Sequence, residues 1–206
     1  MYTKFENLDS EKQDRILNAA MHEFARNGFE RASTNEIVKE ADISKGLLFH
    51  YFTSKKYLYL YLYDHSIEQF MNEFFAKLNM DDSDFFSRLH QSIHLKLNIQ
   101  HQYPSLFQFF ESTMMEDSNE IRHELEARKK ELIDIGFAKI FAGVDLTKFK
   151  EGADMNKVLN IILWTFERFG KEQMEKARKQ SIPLDYEKLY AEIDDYIELF
   201  KQSFYK

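Results

Sequence analysis

Residues 42–56 read DISKGLLFHYFTSKK, a helix of only about two turns set between two serines. Ser44 stands where its hydroxyl accepts from the free amides of a first helical turn, so the helix is expected over Lys45–Phe52. At about 100° per residue, Leu48, Phe49 and Phe52 share one arc, the width of a buried stripe. Gly46, Leu47, His50 and Tyr51 fall on the opposite side, and Lys45 sits at the N-terminal edge, where unpaired amides point outward. A soluble chain that turns a small, an apolar, an aromatic and a cationic residue outward from one short helix is presenting a surface.

The residues before this helix supply its support. Ser10 and Gln13 have capping-box spacing, and Ile16, Leu17, Ala20, Met21 and Phe24 then recur at helical intervals until Gly28 offers a stop. A helix over Glu11–Asn27 follows, with Phe29 returning to the core. A second capping box, Ser33 and Glu36, opens a short helix with Thr34 in its first turn and Ile37, Val38 and Ala41 on its apolar face. Asp42 ends it, since aspartate tolerates the left-handed conformation. Two short helices joined by three or four residues form the pattern of a helix-turn-helix, whose second helix enters a major groove. A small helical bundle with no DNA role has the same pattern.

The run RILNAAMHEFARNGFERASTNEIVKEADISKGLLFHYFTSKKYL resembles the N-terminal domain of the TetR family of bacterial transcriptional regulators. The likeness rests on Phe24, Gly28, Phe29, Thr34, Ile37, Ala41, Ile43, Ser44, Lys45, Gly46, Leu48, Phe49, Tyr51, Phe52 and Lys55. Asp42 replaces a frequent glycine and Phe49 a frequent tyrosine, changes that preserve the turn and the ring. The resemblance implies that Lys45, Gly46 and Leu47 lie nearest base edges, while Thr34, His50, Tyr51 and Lys55 hold phosphates. It leaves Ser44 as a cap, a phosphate donor or both. Leu47 either packs on a thymine methyl or touches the larger domain.

Composition bounds the remainder. The chain has 206 residues, enough for one large domain or a small one joined to a larger, and its 44% hydrophobic content supports a real core. Six glycines and two prolines leave few breakers for a many-turned β fold, which makes an all-α chain the expectation. The absence of cysteine excludes disulfides and thiol catalysis and suits a reducing compartment. No apolar run has the length of a membrane span and the N-terminus lacks the apolar core of a secretion signal, so a cytoplasmic location is expected. The net charge of −7 lies entirely beyond residue 56, because residues 1–56 carry nine Lys/Arg against nine Asp/Glu. The first quarter is thus the part least repelled by a polyanion.

The division implied is a DNA-binding head over residues 1–53 and a helical body over residues 54–206, with about nine major helices in all. The body is expected to hold helices near residues 54–78, 84–100, 104–115, 119–141, 155–179 and 185–203. Phe70, Phe74, Phe107, Phe110, Met114, Phe137, Phe141 and Trp164 are either ordinary core or the lining of a pocket for a small apolar effector, which the resemblance favours. Val158, Ile161, Ile162, Thr165, Phe169, Ile193, Tyr196, Ile197 and Phe200 form stripes that one chain can bury by itself. The resemblance implies instead that they pair with a second copy, placing two heads on a palindromic operator. A repressor released by its effector is the function so implied, and a helical ligand-binding or protein-interaction module is the alternative.

An enzyme is not expected. His90 and His94 lie four apart on one helix face and His101 follows, but no glutamate adjoins His90 as a zinc-protease helix requires, and no carboxylate is marked as a partner. There is no nucleophile elbow or phosphate-binding glycine loop, so neither a cofactor nor a metal is assigned.

Overall fold

The structure is a computed structural model that describes residues 2–180 and 185–206. Regular structure among them is helical: α1 (Thr3–Glu6), α2 (Ser10–Arg31), α3 (Thr34–Glu40), α4 (Lys45–Phe52), α5 (Lys55–Lys77), α6 (Phe85–Gln102), α7 (Pro104–Met114), α8 (Arg122–Ile140), α9 (Met155–Gln180) and α10 (Tyr186–Phe204). A 3-10 turn at Leu146–Lys148 and an isolated antiparallel bridge between Phe149 and Tyr205 complete the set. The all-α expectation holds.

Local chemistry accounts for most boundaries. Asp9, one residue ahead of the expected Ser10, caps α2 by accepting from Lys12 N at 2.9 Å. The Gln13 side chain donates to Leu8 O and Glu6 O instead of closing a capping box. Gly28 adopts φ 68°, but the helix resumes beyond it to Arg31, so the expected stop is a kink. Ser33 caps α3 through Glu36 N, while the reciprocal bond is replaced: Ser33 N donates to Glu23 Oε1 at 2.7 Å. Asp42 has the expected positive φ, 53°.

The chain packs as two compact units. The first runs to Lys77 and takes in Leu95–Ala138, so the whole stretch expected to form the head lies within it, together with α5 and α7. Its core joins Phe5, Ile16, Phe24, Phe29, Ile37, Leu48, Phe52, Tyr59, Leu62, Phe109 and Leu125. Each fully buried large side chain contributes roughly 1.5–3 kcal/mol. Tyr59 stands edge-on to Phe24, Phe29 and Phe109, tying α2, α5 and α7 together. Helix α1 had no counterpart in the periodicity; its Phe5 is fully buried, with its ring 4.7 Å from that of Phe52.

The second unit comprises Leu78–His94 and Lys139–Lys206. Its unusual feature is Arg88, a buried guanidinium that donates to the carbonyls of Met80, Asp82, Ile140 and Ala142. One side chain thereby satisfies two loops that lack helical partners for their acceptors. Phe85 and Phe86 pack against Phe149 and Tyr205, and Lys150 N and Lys206 N bond across to Phe204 O and Lys148 O, closing the end of α10 onto the loop before α9. The Tyr205 phenol is pushed up to about 12, mainly by burial and then by the nearby Asp84 carboxylate.

Candidate nucleic-acid interface

Helices α3 and α4 are joined by a tight turn in which Asp42 takes the left-handed conformation and Ile43 N returns a bond to Val38 O at 3.0 Å. Ser44, exposed, spends its hydroxyl on Leu47 N at 3.2 Å and so acts as the cap of α4. Leu48 and Phe52 are buried and Phe49 is half-buried, as the helical arc required. Lys45, Gly46 and His50 are exposed on the other side. A Cβ built on Gly46 would meet nothing within 4 Å, so nothing in this chain requires a glycine there. A glycine within a helix is nonetheless destabilising by roughly 0.5–1 kcal/mol relative to alanine.

Of the expected contact residues, Tyr51 lies elsewhere than the sequence placed it, while Leu47 and Lys55 are partly engaged within the chain. Tyr51 is buried, not outward, with its ring edge-on to Phe5 at 5.9 Å. The cause is α1, which covers a flank of α4 that periodicity within α4 alone leaves open. Leu47 is half-buried and packs against the core cluster of the first unit. Lys55 donates to Glu30 O at 3.0 Å and Ala32 O at 3.3 Å, closing the end of α2, and its ammonium stands 4.8 Å over the Phe29 ring. An ammonium has three donors, so one remains for an outside acceptor. Thr34, half-buried, begins α3.

Sequence reading missed the groups that brace this head. Glu116, between α7 and α8, accepts from Phe29 N at 2.7 Å just past the Gly28 kink, and a Cβ on Gly28 would approach its Oε2 to 3.3 Å. Lys56 pairs with Glu124 at 2.5 Å and donates to Glu120 O. Glu116 is 87 residues from its partner, so no local pattern announces it.

The expected pocket residues divide between the two units. In the first unit Phe70 contacts Phe74 and Phe107, while Phe110 stacks on Tyr63; Phe74 is buried and Phe137 half-buried, but Met114 is exposed. Phe141 and Trp164 belong to the second unit, where Phe141 stacks on Phe85 and Trp164 is 64% exposed. The first unit does contain an open cleft of about 250 Å³ between α5 and α8, lined by Tyr63, Ile67, Met71, Leu132 and Ile135 together with the paired Asp64 and Arg128 and the carboxylates of Glu68 and Glu131. None of the eight expected residues lines it. The Tyr63 phenol beside it is pushed up to about 12, chiefly by burial and then by Asp64.

The expected pairing residues divide by burial. Val158, Ile162, Phe169, Ile193, Ile197 and Phe200 are buried within the chain, Thr165 is half-buried, and Ile161 and Tyr196 are exposed. Leu163, Trp164 and Leu199 are also exposed on α9 and α10 and were not among them.

Residues 16–62 match the family described as "Bacterial regulatory proteins, tetR family". The HTH-type transcriptional regulator RutR of Escherichia coli strain K12 is 31% identical over 127 residues, 61% of this chain and 58% of RutR. The HTH-type transcriptional regulator UidR of the same strain is 46% identical over 56 residues, 26% of this chain and 29% of UidR. Both matches thus span less than two thirds of the relative. A TetR family transcriptional regulator from Chloroflexus aurantiacus J-10-FL aligns over 99% of this chain and 98% of its own, at 25% identity and a TM-score of 0.67. The fatty acid degradation regulator FadR from Bacillus halodurans aligns over 91% of this chain and 97% of its own at 17% identity and a TM-score of 0.69, a likeness of fold alone.

Proposed function

We propose that the chain is a TetR-type regulator, a homodimeric, cytoplasmic repressor that a small apolar effector releases from a palindromic operator; the match of residues 16–62 to the tetR family and the end-to-end alignment with a TetR family regulator support this reading. The observation that carries this reading is the outer edge of α4. Lys45, Gly46 and His50 are exposed on a helix whose other side is locked into an aromatic core, and Gly46 leaves open a space that the fold itself does not use. A bare backbone at that point suits close approach of a duplex.

In this reading Lys45 and Gly46 lie against base edges, with Leu47 contributing a shallow apolar contact. Thr34, Ser44, His50 and the remaining donor of Lys55 hold phosphates, and Tyr51 acts through its ring by fixing α4. Phosphate contacts set register, and a good base contact adds on the order of 1–3 kcal/mol of discrimination. The head ends at residue 53 and the body from residue 54 serves effector binding and pairing. The exposed Ile161, Trp164, Tyr196 and Leu199 support a pairing face on α9 and α10, since exposed large apolar groups in one region mark an interaction surface.

The cleft between α5 and α8 supports an effector site, its walls chiefly apolar and its end marked by Asp64 and Arg128. An effector there acts only by binding the DNA-incompetent arrangement better than the competent one. The link from the α7–α8 loop to α2 through Glu116, and that from α8 to the start of α5 through Lys56, give that preference a route.

Selection of duplexes from a random pool by the purified protein tests the reading. Enrichment of one inverted repeat, lost in a Lys45→Ala, His50→Ala double variant that stays folded, is the expected result. A pool that remains random at low salt overturns it and favours a helical ligand-binding module without DNA-dependent regulation.

A further inference from the structure

In the second unit, the Nε2 atoms of His90 and His94 on α6 both lie 2.9 Å from the same oxygen, Oδ1 of Asp194 on α10, and the His94 contact has hydrogen-bond geometry. The three donor atoms lie within 4.8 Å of one another. The two imidazoles stack at 4.1 Å, and the His94 ring is held from another direction by Tyr190 at 4.4 Å. Both histidines are partly exposed and Asp194 is exposed, which leaves one side of the group open to solvent.

Hydrogen bonding alone makes limited use of this arrangement. One carboxylate oxygen stands beside two ring nitrogens, and only His94, with its proton on Nε2, is placed to donate to it. A cation accommodates the same three atoms more fully, because both nitrogens and the oxygen then act as donors of electron pairs to one centre. Ligand distances near 2.0–2.2 Å put adjacent donors of a tetrahedral ion about 3.4 Å apart. Reaching that takes an opening of about 0.5 Å in each nitrogen–oxygen distance, by rotation of the exposed Asp194 carboxylate, and a side-chain adjustment that brings the two nitrogens, within 4.8 Å of each other, to the same spacing.

We propose that His90, His94 and Asp194 form a three-ligand site for a borderline divalent transition-metal ion, with the fourth position facing solvent. Two imidazoles select zinc, cobalt, nickel or copper over magnesium and calcium, which prefer oxygen donors throughout. The spacing of two histidines on successive turns of one helix, completed by a carboxylate from another, fixes three donors without help from a loop. The bound ion ties α6 to α10, the helix that carries Tyr196 and Leu199 on its exposed side.

The test uses tag-free, full-length protein freed of metal with a chelator and titrated with cobalt(II). One equivalent per chain is expected to give the intense visible absorption of a four- or five-coordinate ion, which zinc(II) then abolishes. His94→Gln and Asp194→Asn each weaken cobalt binding by at least about tenfold while circular dichroism stays unchanged, and His101→Gln leaves it as it was. Asp194→His, which keeps three donors, retains the intense spectrum even if Asp194→Asn loses helicity. A weak octahedral-type spectrum in the unaltered protein overturns the proposal, as does binding that survives both ligand substitutions or falls equally with His101→Gln; the three side chains are then a hydrogen-bonded clasp only.

Discussion

At the scale of single residues, Gly46 separates stability from function more cleanly than any charged neighbour. Alanine there meets open space in the free protein and lowers the entropy of the unfolded chain, so Gly46→Ala is expected to raise stability by about 0.5–1 kcal/mol in denaturant melts. If the glycine serves close approach to a duplex, the same variant loses roughly tenfold in operator affinity, about 1.4 kcal/mol, by fluorescence anisotropy. A gain in stability with unchanged affinity would remove Gly46 from the interface. Asp82 provides a pH-dependent counterpart in the other unit. Its carboxylate is held below its ordinary value first by the Ser87 hydroxyl at 2.5 Å and next by the Asp84 amide at 2.9 Å. A carboxyl group whose folded value lies below its unfolded one stabilises fully above the unfolded value and loses that contribution as pH falls through the folded one. Ser87→Ala is therefore expected to lower the melting temperature at neutral pH, and the difference from the parent protein to shrink steadily on acidification. A difference that stays constant across the acid range would contradict the assignment.

At the scale of elements, α1 is the part that periodicity could not supply. Four residues carry no repeat to detect, and isolated short helices are unstable in water, so tertiary packing alone explains it. Its Phe5 lies among Tyr51, Phe52 and Tyr61. Phe5→Ala is expected to cost about 3–5 kcal/mol by chemical denaturation, the range for a large aromatic removed from a closed core. It should also loosen α4, seen as faster amide exchange from Leu48 to Phe52; a loss below 1 kcal/mol would mean that α1 is only loosely docked. The longer helices were legible because their apolar positions repeat over several turns. Their caps were less so: Asp9 displaced Ser10, and Glu23 took the Ser33 amide that a local capping box would have used. Several polar side chains compete near each terminus, and the packing of the neighbouring helix selects among them.

At the scale of the whole molecule, the stripes on α9 and α10 show why an amphipathic pattern does not name its partner. Ile162, Ile193, Ile197 and Phe200 are buried inside one chain, whereas Trp164 and Leu199 remain exposed, although all are apolar residues at helical spacings. The double variant Trp164→Glu, Leu199→Glu is expected to sediment as a monomer while keeping its helical content, because the changes touch exposed groups and not the intrachain core. A dimer that survives both charges would place the proposed pairing face elsewhere, and a parent protein that itself sediments as a monomer would remove the proposal of pairing. The same limit applies to the proposed effector pocket, since aromatic composition supplies candidates for a lining without saying which of them the core consumes. Phe74 is buried, Phe141 stacks on Phe85, and the cleft between α5 and α8 is built mainly from aliphatic, methionine and tyrosine side chains.

What the sequence determined by itself is the local part of this protein: an all-α chain, the α3–turn–α4 pair with its Ser33 and Ser44 caps and left-handed Asp42, and the apolar arc of Leu48 and Phe52. These follow from interactions spanning a few residues, which a linear pattern records directly. Only the tertiary structure decided that Tyr51 turns inward, that Lys55 spends two donors on α2, that Glu116 braces the turn after Gly28, and that Asp194 meets His90 and His94. Each of these joins groups from different elements, Asp194 and His94 being 100 residues apart. Proximity of that kind comes from how helices pack, and the spacing of residues along one chain does not encode it in any readable period.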